Sequence, residues 1–297
     1  MRHDPPIGGA RGLFVAWSPN ETVRAADLTI ARLLQFGVAL RPSNRIARAR
    51  DLVRRTNQFD VQFDPSDRST EFAVAEAKRA IFETFFLVRD LQPPTPTTIS
   101  VLRKIAHAPD LPRLSGDDHG RDLQAELFTG AVFRAAGFHV DTGEPDLRVS
   151  PNGKVWGVAV KRVKSDRQFE ARVRKAQKQL ANQKLYGFIV VNPEILLAKT
   201  YRANPETDLS AMLFDRTGDW VDYLDRDATI DRVLAVLALG TSFKLVREGR
   251  QRSFEFRLHV HFRFVTNGAA SEIAAIRQLS AAMMQNLTTA LSRLSVS

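Results

Sequence analysis

The sequence predicts a mixed α/β (α+β) fold, with a helical N-terminal part and a C-terminal β-hairpin followed by a helix. Three observations predict it. From about Thr22 to Leu91 apolar residues recur at three- and four-residue steps. From Gly120 the pattern changes to helix and strand in the order α, β, β, β, α, β. Near the C terminus Phe254, Phe256, Leu258, Val260, Phe262 and Phe264 alternate without a miss, the mark of a long strand with one buried face.

The helical part carries Leu28, Ile30, Leu33 and Leu34, then Ile46, Ala49, Leu52 and Val53, then Phe72, Ala75, Ala80, Phe82 and Phe86. Turn-rich breaks at Arg41-Pro42-Ser43-Asn44 and Asp64-Pro65-Ser66-Asp67 separate the three groups. Gln92-Pro93-Pro94-Thr95-Pro96-Thr97 ends this part, because prolines remove backbone donors and fix φ. A short helix is expected over Ile99–Ala106 and a longer one over Arg121–Ala136, stopped by Gly137. Short strands follow at Phe138–Thr142 and Asp146–Val149, then a β-branched run at Val155–Val163 after the turn Pro151-Asn152-Gly153. Gln168–Gln183 reads as a basic helix, and Tyr186–Asn192, with Phe188, Ile189, Val190 and Val191 unbroken, as a strand buried on both faces. Beyond Asn192 the pattern is hard to read until Phe243–Val246 and Phe254–Val265, which flank the hairpin signal Glu248-Gly249-Arg250-Gln251. A helix over Ala270–Leu294 closes the chain, its stripe running Ile273, Ile276, Leu279, Met283, Leu287, Leu291 and Leu294; that stripe is also readable as a homodimer seam. The expected regions are 1–96, 97–240 and 241–297.

Composition narrows the chemistry. Forty-three Lys and Arg against 33 Asp and Glu give a formal charge of +10, which favours polyanions as partners, DNA first and RNA as the alternative. Cys is absent, so disulfides, thiolate metal sites and cysteine nucleophiles are excluded. No signal-peptide core follows Met1, and no run of eighteen apolar residues occurs, so a cytoplasmic protein with no membrane partner is expected. Gly8-Gly9-Ala10-Arg11-Gly12 is no phosphate loop, for no Gly-Lys-Ser/Thr follows it. His259 and His261 share one strand face with Glu255, Arg257 and Arg263, which reads as a solvated or phosphate-contacting polar face.

One stretch concentrates reactive side chains. Glu126 lies in a helix, Glu144-Pro145-Asp146 precedes a strand, Ala159-Val160-Lys161 stands in the next strand, and Gln177 lies on the basic helix that follows. Between Asp146 and Leu180 ten basic residues face three acidic ones, a local charge of +7. Each member also has a plainer reading: Asp146 as an Asx-turn residue, Lys161 as an edge-strand charge, the basic helix as a solvated face.

In order and spacing this stretch resembles the PD-(D/E)XK nuclease superfamily, over roughly Asp117–Asn192, about a quarter of the chain. The resemblance implies a restriction-endonuclease-like αβββαβ core with a mixed sheet and a Mg²⁺- or Mn²⁺-dependent hydrolysis of phosphodiesters. It implies Asp146 as the main metal ligand, Glu126 as an accessory ligand, Lys161 as the catalytic lysine and Gln177 as the helix glutamine. Arg162, Lys164, Arg167, Arg172, Arg174, Lys175 and Lys178 become the expected nucleic-acid contacts. The sequence departs from the motif at Ala159, where an acid two residues before Lys161 would share its strand face, and a methyl group binds no metal. Either the acid is supplied from elsewhere, with Glu170 the first choice and Asp166 or Glu144 behind it, or cleavage has been lost and the fold kept. The expected function is thus a metal-dependent DNA endonuclease, a magnesium deoxyribonuclease. The alternative is a catalytically degenerate nucleic-acid-binding module.

Overall fold

The computed structural model describes residues 13–15, 17–58, 68–89, 91, 94–111, 118–151, 153–163, 165–204, 207–248 and 251–292. The glycine segment 8–12, the 64–67 turn, Pro93, Asn152, Lys164 and the Gly249-Arg250 hairpin tip lie outside them. Among the described residues the fold is mixed α/β. Its elements are β1 (Leu13–Val15), α1 (Pro19–Gln35), α2 (Arg45–Gln58), α3 (Arg68–Arg89), α4 (Pro96–Ala106) and α5 (His119–Ala135). They continue with β2 (His139–Thr142), β3 (Leu147–Ser150), β4 (Trp156–Arg162), α6 (Asp166–Asn182) and β5 (Gly187–Asn192). The chain ends in α7 (Glu194–Ala203), α8 (Leu209–Arg226), β6 (Val233–Glu248), β7 (Gln251–Phe264) and α9 (Ala270–Ser292).

The sheet order is β1-β7-β6-β5-β4-β3-β2. β2, β3 and β4 form an antiparallel meander, while β4 pairs parallel to β5 and β5 parallel to β6. Parallel neighbours need a crossover, and α6 supplies it between β4 and β5. Helix cover on a parallel pair explains why every residue of β4 and β5 is buried. Gly187 is required where these two strands first pair, since a Cβ there would collide with the Gly157 carbonyl. α6 starts at the Ser165 cap, whose hydroxyl accepts from Gln168 N–H, and buries Phe169, Val173, Ala176 and Leu180, one helical stripe.

The chain forms two compact units, each assembled from separated stretches. One takes Leu13 and the described residues of 132–240 and 258–292; the other takes those of 14–131 and 241–257. The helical unit packs α1, α2 and α3 on one another, and the Trp17 ring meets Phe82 and Phe85 of α3. Its interior also holds charge: Arg79 bridges Glu76 and Glu83 at 2.8 Å each, and Gln124 and Thr241 donate to Glu83 at 2.5 Å.

Three expectations are corrected. β6 begins at Val233, ten residues before the expected strand, because Val233–Gly240 is an unbroken apolar run whose periodicity does not separate strand from helix. His259 and His261 are buried, with 0% and 4% of their surface exposed, so theirs is not a solvated face. His261 packs edge-on to Phe214 of α8 and lies 3.4 Å from the Ser210 hydroxyl; burial, and next the Arg263 charge, push its pKa down to about 4. The α9 stripe from Ile273 to Leu291 is buried by the chain's own residues, and Asn286 donates to the Ala136 carbonyl, so it offers no free dimer seam. Among the described residues, no helix is long and apolar enough to cross a membrane.

Candidate phosphate-facing site

Asp146 and Lys161 meet. Lys161 Nζ lies 2.6 Å from Asp146 Oδ2, and the same oxygen accepts the Val160 N–H at 2.7 Å. Strand register explains the meeting. Leu147 pairs with Val158, so one step further Asp146 stands across from Ala159, with Lys161 two residues along on the same face. The two side chains retain only 14% and 9% exposure. Burial pushes the Asp146 carboxyl above its ordinary range, and the Glu144 charge adds to that, while the Lys161 ammonium and the Val160 N–H pull it down.

Around the pair the chain is tied to α6. Gln179 donates to the Glu144 carboxylate at 3.1 Å and to the Pro145 carbonyl at 3.0 Å, fixing the Glu144-Pro145-Asp146 turn against the helix. Arg148 adds a bond to the Glu144 carbonyl and another to Gln183. Gln177, the glutamine expected here, sits on the other flank of the buried stripe and is held elsewhere: it donates to Asp231 at 2.5 Å and accepts from Arg232 N–H at 2.8 Å. The signal that separates them is the stripe itself, since Gln179 follows Ala176 by three and Gln177 follows Val173 by four.

Of the carboxylates expected to hold a metal, those described in the unit of Asp146 do not assemble around it. Glu170 is exposed on α6, where its charge acts on Arg174 one turn along. Glu126 is a half-buried residue of α5 in the helical unit. Glu144 is exposed and engaged by Gln179, and Ala159 is fully buried with only a methyl to offer. Among the described residues, no three of His, Asp and Glu gather closely enough to hold a metal ion. A hard divalent cation asks for several oxygen ligands, and a single carboxylate whose Oδ2 already accepts two bonds does not supply them. The described residues thus do not fit the Mg²⁺ or Mn²⁺ centre that the resemblance implies.

The basic residues divide in two. Arg167, Arg172, Arg174, Lys175 and Lys178 all project from the solvent face of α6. Arg174 is partly engaged, with Tyr223 Oη and Asp227 each 3.4 Å away. Arg162 is different: its guanidinium lies 3.0 and 2.9 Å from Glu194 Oε2, with 3% of its side chain exposed. It locks the end of β4 to the start of α7 and cannot also reach a phosphate. The Glu194 backbone N–H donates to Asn192 Oδ1, which completes that corner.

No protein-family model matches the chain, and no curated protein or solved structure matches it either.

Proposed function

We propose that this protein binds nucleic acid through a restriction-endonuclease-like core that has kept the Asp–Lys pair of that architecture and lost its metal-dependent cleavage. The observation that carries this reading is the solvent face of α6. Arg167, Arg172, Lys175 and Lys178 stand exposed there, on the helix whose Gln179 holds the turn before Asp146. Exposed cations on one helix face match a phosphate backbone, because each neutralised phosphate releases counterions. The α5-β2-β3-β4-α6-β5 succession, with its antiparallel meander and parallel fourth strand, supports the core assignment. The Asp146–Lys161 pair then acts as a fixed, internally neutralised element that ties β3 to β4, and the grip comes from α6.

Fluorescence anisotropy with a labelled duplex tests the reading. Wild type should bind, and the variant carrying Arg172→Ala, Lys175→Ala and Lys178→Ala should bind markedly more weakly, while Asp146→Asn should bind as wild type does. Equal affinity of wild type and the triple variant would refute it.

A second reading, retained phosphodiester hydrolysis, is favoured by one observation, the 2.6 Å approach of Lys161 to Asp146. It requires plasmid nicking in Mg²⁺ or Mn²⁺ that disappears in Asp146→Ala and in Lys161→Ala. Wild type that leaves the plasmid intact removes it.

A further inference from the structure

We propose that the cleft between α2 and α3 receives a single nucleobase, with the phosphate of that nucleotide held by Arg55 of α2. The inference rests on the nucleic-acid reading but concerns a different surface, wholly within the helical unit. The cleft has a volume of about 220 Å³. That is below the roughly 300–1,000 Å³ of pockets that enclose whole drug-sized ligands, so it suits one ring-sized group.

Sequence explains the cleft. Ala49 of α2 and Ala73, Ala77 and Ala80 of α3 line it, and none has an atom beyond Cβ to fill the space. Leu52 and Leu111 complete apolar walls of the kind that flank an extruded base. The floor is polar and buried: Arg45 is 1% exposed and Glu76 3%. Arg45 bonds the Gln124 side chain, and Glu76 accepts from Arg79, so donors and acceptors stand side by side. At the mouth Arg48 makes a two-point pair with Asp110, at 2.8 and 2.9 Å. Two guanidinium groups and two carboxylates thus line the cleft, a formal charge of zero. An ionic head group would meet no surplus counter-charge there. A neutral, flat group with donors and acceptors along one edge is matched, and a nucleobase edge is that.

The charge that the cleft lacks lies beside it. Of the six arginines in residues 41–55, Arg45 lies in the cleft and Arg48, Arg50 and Arg54 are paired with Asp110, Asp51 and Asp27, which leaves Arg41 and Arg55. Arg55 is exposed and follows the cleft residue Leu52 by three positions, which puts both on one helix face. A guanidinium presents paired N–H groups to phosphate oxygens. Arg54, by contrast, is held by both oxygens of Asp27. Base in the cleft and phosphate on Arg55 therefore use the two neighbouring features with one ligand.

Isothermal titration calorimetry of the full chain tests this, with the four ribonucleoside 5′-monophosphates and a single-stranded oligonucleotide as probes. Two variants accompany wild type: Ala77→Leu, which fills the cleft, and Arg55→Glu, an exposed change that leaves the helix interior intact. Saturable binding is expected for at least one probe, weakened by roughly tenfold or more in both variants. Binding of a mononucleotide assigns the site to free nucleotides; binding of the oligonucleotide alone assigns it to a base of a strand. No saturable binding of any probe, or binding that neither variant weakens, overturns the proposal. The α6 triple variant serves as the control. Nucleotide binding that survives there while duplex binding fails separates this site from the α6 reading, and a wild type that binds nucleotide but no duplex refutes only that reading.

Discussion

Removing the Asp146–Lys161 pair whole should cost less than the sum of breaking it from each side. In Lys161→Met the Asp146 carboxyl keeps the Val160 N–H but loses the ammonium 2.6 Å away, in a place where only 14% of the side chain reaches water. Truncating one partner of a buried pair typically costs ~3–5 kcal/mol. Two features put this pair at the lower end, about 3 kcal/mol: it retains some solvent, and burial already pushes the Asp146 carboxyl up, so the stranded group can take a proton instead of remaining charged. Asp146→Asn strands Lys161 in the same way, whereas Asn opposite Met removes both charges. The double variant should therefore be more stable than the sum of the singles predicts, by about 2 kcal/mol, within the coupling seen for contacting residues. Urea unfolding at pH 7, followed by far-UV circular dichroism, measures all four proteins. The Lys161→Met deficit should also shrink on acidification, as Asp146 protonates. Single variants each costing under about 1 kcal/mol and adding without coupling would refute the reasoning.

His261 should make the fold acid-sensitive. Its pKa is held at about 4 against an ordinary 6.5, so the unfolded chain takes up the proton first; the penalty is absent above about 6.5, grows as pH falls and reaches about 3 kcal/mol below 4. His261→Gln should flatten stability between pH 7 and 4, and a slope unchanged from wild type would contradict this. Arg162→Ala should cost about 3–5 kcal/mol by stranding Glu194, yet leave the salt dependence of DNA binding as it is; a reduced slope would mean that Arg162 does reach phosphate. Ala159→Glu should create a second carboxylate across from Asp146, at a cost in stability because the position is fully buried. Calorimetric Mn²⁺ binding is expected in that variant and not in wild type, and Mn²⁺ binding by wild type would contradict the donor inventory.

Much of the architecture was legible because periodicity and punctuation are local. The α, β, β, β, α, β succession follows from Gly137, the 151–153 turn and the apolar run at Phe188–Val191, and it fixes which residues can face Asp146. The meeting of Asp146 with Lys161 follows from strand alternation once β3 and β4 pair. What the sequence hides is pairing between distant residues. Arg162 reads as a free cation until Glu194, 32 positions on, is folded against it. Gln177 and Gln179 lie on opposite flanks of the α6 stripe, and the packing of that stripe turns Gln179 toward the Pro145 carbonyl. The histidines of β7 look polar by alternation because nothing in their own strand reveals that they are buried, His261 against α8. β6 is hidden for another reason: an apolar run has no period to read.

The most direct test of the central claim is the salt dependence of duplex DNA binding, measured in EDTA and again in Mg²⁺, for wild type and the Arg172→Ala, Lys175→Ala, Lys178→Ala protein. The account predicts equal-or-tighter binding in EDTA, no cleavage in Mg²⁺, and a slope of log affinity against log salt that falls in magnitude by about 0.9 for each phosphate contact removed. Binding that needs Mg²⁺ and is lost with Asp146, or a slope the three substitutions leave unchanged, would contradict it.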